Sequence, residues 1–224
     1  MAPPLAAGSL QALSLVREVL TRVLGIPDLL LSLAGGGGRK KLRLRIVVLR
    51  DAGGRPAVPE AEVSAALEET TRLLAQEAQT DVVPADGALV VTADGAAPPE
   101  ALESPCSTNG LWRTDLGPGG RFFRANRFRA GYRFLGRGAP LTVFVVRDVV
   151  GKCGCSLGPF GDYVTIDGGG LGGTRRILAH ELGHSCGLPH TSREGNLMRP
   201  RGPGERMTRL QRAIFRGSRH VTYL

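Results

Sequence analysis

Three of the chain's four histidines fall within eleven residues, His180-Glu181-Leu182-Gly183-His184-Ser185-Cys186-Gly187-Leu188-Pro189-His190. This spacing constrains the fold more than any other feature. On a helix, residues four apart share a face, so His180 and His184 can aim two imidazole nitrogens at one ion while Glu181 sits beside them. Gly187 accepts left-handed backbone and is placed to stop the helix. The turn it makes can bring His190 back as a third ligand. Three protein ligands on zinc leave the fourth position open for water, which is the catalytic arrangement; a closed structural site uses four. Glu181 is then the candidate proton acceptor. With 4 His and 32 Gly among 224 residues, such a pattern arises by chance in about one chain in 100,000. Unrelated surface or core histidines are therefore a poor account of it.

The rest of the composition is permissive. A 42 % hydrophobic content suffices for a real core in one domain with an appendage, or in two small lobes around a cleft. The formal charge is +9, yet 26 of the 29 basic residues are arginine and the chain is also rich in Ala, Gly and Pro, a bias that a GC-rich coding sequence produces by itself. No recognition motif accompanies the charge, so no nucleic-acid partner is expected. No apolar run approaches the ~18 residues of a transmembrane helix. The four cysteines, Cys106, Cys153, Cys155 and Cys186, permit two disulfides in three connectivities. Paired cysteines favour a secreted or extracytoplasmic protein, although no clear signal peptide precedes the first apolar stretch. Thiolate ligation is not needed, because the three histidines already complete a catalytic site.

Along the chain, residues 1–38 read as an N-terminal amphipathic helix (Leu10, Leu13, Val16, Leu20, Val23 and Leu24 at helical spacing) followed by a linker at Gly35 to Gly38. They are a possible pro-segment or leader, and residues 39–224 form the main domain. Leu42 to Leu49 reads as the first strand and Pro59 to about Ala78 as a long helix. Ala88 to Thr92, Leu141 to Val146 and Tyr163 to Asp167 read as further strands. The strand-helix-strand start implies a right-handed crossover and a largely parallel sheet. Leu111-Trp112 and Phe122-Phe123 are expected in the core, and Gly168 to Gly173 as a turn with Thr174 capping the histidine helix. On that helix Ala179, Gly183 and Cys186 form a small-residue face suited to close approach to a sheet. Thr208-x-x-Gln211 fits a capping box opening a last helix, with Leu210 and Ile214 inward and its end near Gly217.

His180 to His190, followed by Asn196-Leu197-Met198, resembles the HExxHxxGxxH motif and methionine turn of the metzincin zinc endopeptidases. Met198 lies eight residues after His190, with Arg199-Pro200 next, an interval similar to the matrixin-like branch. The resemblance implies a mixed α/β (α+β) metzincin-like fold: a twisted, mostly parallel five-stranded sheet with one antiparallel edge strand, an active-site helix and a C-terminal helix. It implies one catalytic Zn2+ on His180, His184 and His190, Glu181 as general base and acid, and structural support from Met198 and Gly187. Pro200 stands where astacin-like members carry a tyrosine ligand, and no cysteine-switch segment precedes the domain. The calcium-and-zinc loop of matrixins has no recognisable counterpart, so structural Ca2+ stays open. In this family the edge strand precedes the last strand, which nominates Gly154, Cys155, Ser156, Leu157 and Gly158 as the shelf on which an extended peptide adds a strand.

The function expected is that of a zinc-dependent endopeptidase, acting on protein or peptide substrates as a monomer. Two other classes compete with it. A zinc-stabilised binding module without turnover would need the histidines but not Glu181, and a basic nucleic-acid binder would show salt-dependent affinity.

Overall fold

A computed structural model of the chain describes residues 25–106, 117–128, 137–173 and 176–223. The expected amphipathic helix over residues 9–24, the Leu111-Trp112 pair and the Thr174 cap lie outside them. The architecture is mixed α/β around a mostly parallel sheet.

That sheet is organised by β1 (Lys40–Arg50), which is paired along both sides. One side carries two short parallel strands end to end, β2 (Thr80–Pro84) on Lys40 to Leu44 and β3 (Val90–Ala96) on Ile46 to Arg50. The other side carries β4 (Leu141–Val146), parallel. Beyond β4 lie β5 (Gly154–Ser156), the antiparallel edge, and between them the parallel β6 (Tyr163–Asp167). The chain ends in β7 (Val221–Thr222), antiparallel on Lys41 and Leu42. The sheet thus has seven strands rather than the expected five, and two are antiparallel rather than one.

The apolar run of β4 follows from its central position, because every residue in it is buried. Leu141, Val143 and Val145 join a core with Leu44, Ile46, Val164 and Ile166 beneath the helices α1 (Glu60–Ala78) and the histidine-bearing segment. Phe144 and Val146 point to the opposite face. There α2 (Pro118–Asn126) delivers Phe123, whose ring lies 5.0 Å from Phe144 and 5.4 Å from Tyr163, with Phe122 packed alongside. A strand buried on both faces reads as a continuous apolar run.

Three other expectations need correction. Gly168 to Gly173 is a short helix, α3 (Gly168–Gly173), not a turn. A Cβ on Gly168 would stand 3.0 Å from Ala57 O and 3.1 Å from Val146 O, so tight packing explains at least that first glycine. In α5 (Arg209–Gly217), which follows the histidine helix α4 (Ile177–Ser185), Leu210 faces solvent, while Ala213 and Phe215 point inward and Ile214 packs against the core. The capping box itself is present: Thr208 Oγ1 accepts from Gln211 N at 3.1 Å and Gln211 Oε1 from Thr208 N at 2.9 Å. Within the small-residue face of α4, Gly183 itself meets the Met198 side chain, as described below, rather than a sheet.

Residues 25–38 are bonded to the sheet domain. Residues 25–33 are helical, and Asp28 pairs with the fully buried Lys40 at 2.9 Å and with Arg137 at 2.7 Å. Lys40 also donates to Arg216 O at 2.8 Å. The buried Arg216 guanidinium in turn donates to Ser32 Oγ, Ala78 O, Gln79 O and Gly38 O. A buried ammonium is tolerable when paired and hydrogen-bonded in this way.

Of the possible disulfides one is formed, Cys106 to Cys155, joining residues 49 apart in sequence and tying the edge strand β5 to the segment before α2. Cys153 is an exposed thiol and Cys186 a buried one, so the second disulfide that four cysteines permit is not formed. Burial pushes the Cys186 thiol up to about 12. Alkylation of the unreduced protein should therefore label Cys153 quickly and Cys186 only after denaturation, as read by mass spectrometry. Reduction should lower unfolding stability by about 4 kcal/mol, the chain-entropy value for a loop of this size. Four labelled thiols without reductant would contradict the pairing.

Candidate metal centre and cleft

The helix α4 (Ile177–Ser185) ends in a Schellman turn. Gly187 adopts φ +91°, its N–H donates to His184 O at 2.9 Å, and Leu188 N–H donates to Gly183 O at 2.9 Å. This reversal does two jobs. It carries the chain back so that His190 meets the helix histidines, and it places Leu188 O 2.7 Å from His184 Nδ1. His180 Nδ1 lies 2.8 Å from Leu197 O. A carbonyl can only accept, so both rings carry their proton on Nδ1 and leave Nε2 as a bare lone pair.

Those lone pairs converge. His190 Nε2 lies 3.2 Å from His180 Nε2 and 3.0 Å from His184 Nε2. Tetrahedral zinc with Zn–N bonds of about 2.0–2.1 Å requires nitrogens about 3.3 Å apart. The three imidazoles fit such an ion, and among the described residues they are the one group of histidine, cysteine and acidic side chains assembled for a metal. Cys186, weighed above as a thiolate, is fully buried and outside the group. Burial depresses all three histidines, His180 to about 4. They are therefore neutral and able to ligate near neutral pH.

Beneath α4 lies the turn that carries Met198. A Cβ on Gly183 would fall 2.6 Å from Met198 Sδ, so glycine is required for the fully buried methionine to sit there. The turn is held by Asn196, whose Oδ1 accepts from Met198 N at 2.9 Å and whose amide pairs with Gln211. Arg176, the residue before α4, adds a clamp that the sequence reading missed. Its guanidinium donates to Leu197 O at 2.8 Å and to Arg199 O at 3.0 Å. Leu197 O thus receives both Arg176 and His180. A positive charge at a helix N-terminus opposes the helix dipole, and that local conflict was the available signal.

Glu181 is 7 % exposed, and burial pushes its carboxyl up to about 7. The Lys152 ammonium acts in the opposite direction. No hydrogen bond reaches the carboxylate among the described residues. The edge strand presses on it: a Cβ at Gly154 would lie 2.7 Å from Glu181 Cγ and 2.9 Å from Oε1. Ser156 Oγ and Ser185 Oγ, 2.9 Å apart, fasten the same strand to α4.

A cavity of about 1220 Å³ runs over this site and is lined by the three histidines, Glu181 and all five nominated shelf residues, Gly154, Cys155, Ser156, Leu157 and Gly158. Only Gly154, Cys155 and Ser156 are strand, however; Gly158 begins a 3-10 turn. The edge strand nominated as a shelf is therefore three residues long rather than five. Its outer side has no strand partner among the described residues.

No family model matches the chain, and no curated protein matches it. Among solved structures it is similar to a chain of a chaperone–substrate complex, with 12 % identity and a TM-score of 0.42, over 70 % of this chain and 25 % of that one. It is also similar to a zinc-dependent peptidase from Methanocorpusculum labreanum, with 17 % identity and a TM-score of 0.39, over 75 % of this chain and 92 % of that one. Metalloproteinase-II from Bacteroides fragilis is a third, with 10 % identity and a TM-score of 0.38, over 80 % and 55 %. This chain spans about a quarter of the first of these, nearly all of the second and about half of the third. At such distances no residue is carried across.

The Arg176 clamp yields an expected outcome. Arg176→Met removes both hydrogen bonds to the methionine turn while keeping an apolar stem, and zinc affinity should fall about 10- to 100-fold, the usual cost of losing a group that orients a ligand. Competition against a chromophoric chelator measures it. Unchanged affinity would show that Leu197 O holds His180 without help.

Proposed function

We propose that this chain is a zinc-dependent endopeptidase of metzincin type that hydrolyses extended polypeptides. One observation carries the reading: three neutral imidazole Nε2 atoms converge at zinc-like spacing beside a buried, unbonded carboxylate at the floor of an open cleft. A binding module gains nothing from burying a carboxyl group without a partner, because burial disfavours its charged form. A general base profits from it, since its proton affinity is raised toward working pH.

Bound to the histidines, Zn2+ would polarise the scissile carbonyl and lower the pKa of a water molecule. The protein's own part is more specific. Leu188 O and Leu197 O hold two imidazoles in the ligating tautomer. Glu181 accepts a proton from the attacking water and returns it to the leaving amine nitrogen. The outer side of Gly154 to Ser156 offers backbone donors and acceptors to which an extended peptide adds as a strand, and the Cys106–Cys155 disulfide anchors that edge. The matrixin-like interval to Met198, and an extracytoplasmic location suited to the disulfide, belong to the same proposal.

Glu181→Gln should retain about one zinc per chain while peptide hydrolysis falls by about 10²- to 10⁴-fold. Elemental analysis and a quenched-fluorescence peptide library, with and without chelator, read both. Hydrolysis at the wild-type rate would remove Glu181 from the chemistry, and zinc binding without cleavage by either protein would favour the binding module. A subtler variant, Gly154→Ala, should keep its zinc yet lose at least about tenfold in kcat, because its methyl group displaces Glu181 and small misplacements of a reacting group are costly. Unaltered kcat would mean that the strand yields instead.

A further inference from the structure

The cleft's charges are unevenly matched. Of its acidic lining residues, Glu69 and Glu205 are both bonded to Arg72, at 2.6 and 2.7 Å, and Glu181 is the buried base. Of its basic residues, Arg176 is committed to two carbonyls, and Arg201 is exposed to solvent. Lys152 is different. It is half-buried on the cleft rim, two residues before the glycine that presses on Glu181. Its ammonium lies 3.5 Å from Cys106 Sγ of the disulfide, and no carboxylate stands within ion-pair distance of it among the described residues. A half-buried cation without an acid is an incomplete pair.

The rim position gives that cation a purpose. Lys152 stands at the start of the edge strand to which a peptide would add, so a substrate lying along Gly154 to Ser156 passes its ammonium. Lys152 lines the same cavity as Glu181, His184 and His190, so it faces the reacting centre as well as the shelf. We infer that Lys152 is a specificity-determining residue, and that the cleft selects peptides carrying a carboxylate near the scissile bond to complete the pair. The inference rests on the endopeptidase reading. A carboxylate can come from an Asp or Glu side chain or from a free C-terminus, and the chemistry on the protein's side is the same. It is a point-charge contact from a flexible ammonium, so it tolerates both.

Three quenched-fluorescence peptides of one core sequence distinguish the sources, assayed with the full zinc-loaded protein: neutral with an amidated C-terminus, Glu-flanked with an amidated C-terminus, and neutral with a free C-terminus. At least one carboxylate-bearing peptide should exceed the neutral amide by about tenfold or more in kcat/KM, and the advantage should shrink as salt is raised to 1 M, where charges are screened within about 3 Å. The arm that wins names the source. Lys152→Met should erase the advantage with zinc content unchanged, and Lys152→Glu should transfer it to an Arg-flanked, amidated peptide. Equal kcat/KM for all three peptides, or a preference that survives in Lys152→Met, overturns the inference and leaves the peptidase reading standing. Cleavage of no peptide by zinc-loaded wild type overturns that reading, and this one with it.

Discussion

The contact between Gly183 and Met198 is the constraint on which the site depends. Helix α4 and the methionine turn approach so closely that a single methyl group on residue 183 would collide with the thioether. Because they do, Leu197 O comes within reach of His180 Nδ1 and of Arg176 at once. Move the turn outward by the width of a methyl group and His180 loses its orienting acceptor while Arg176 loses one of its two carbonyls. The methionine is a spacer of fixed height, and its soft side chain suits a fit that has no room for branching.

A second set of contacts fixes the opposite wall. Glu181 is confined from above by the edge strand, which is joined to α4 through Ser156 and Ser185 and to the segment before α2 through Cys155. Helix and strand are thus two jaws with the carboxylate between them, and the absence of a side chain at Gly154 sets the gap. The same small residue that admits the carboxylate leaves the strand's backbone open toward the cleft. Burial of the Glu181 carboxyl and exposure of the edge strand's backbone are consequences of one glycine.

Much of the centre was legible in the residues, because its parts are local. The four-residue spacing of His180 and His184 and the left-handed Gly187 are properties of one helix and its cap. The Thr208 box lies equally within one turn, and β4 announced itself by being apolar on both faces. What escaped was decided at a distance. The strand Thr80–Pro84 follows a helix capped by Gln79 at φ 49° rather than by glycine, is only half-buried, and so carries neither a stop signal nor alternation. The glycines of α3 oppose helix by propensity, yet packing beneath Val146 and Ala57 overrides it. Leu210 was read inward on type alone. Cysteine pairing depends on which loops the sheet brings together, and the carbonyls that receive Arg176 are 21 and 23 residues away.

The ammonium of Lys40 has a consequence for the N-terminal region. It is held between Asp28 and Arg216 O with no exposure at all, and Arg216 reaches across to Ser32 and Gly38. The glycines between helix and strand are therefore bridged by bonds that do not run through the backbone. A nick there would produce two polypeptides still fastened as one body, which a denaturing gel would report as a shortened protein and a native mass would not. Trimming and release are separate events in such a molecule, and the second needs Asp28 to be pulled from a cation that water cannot reach to replace it.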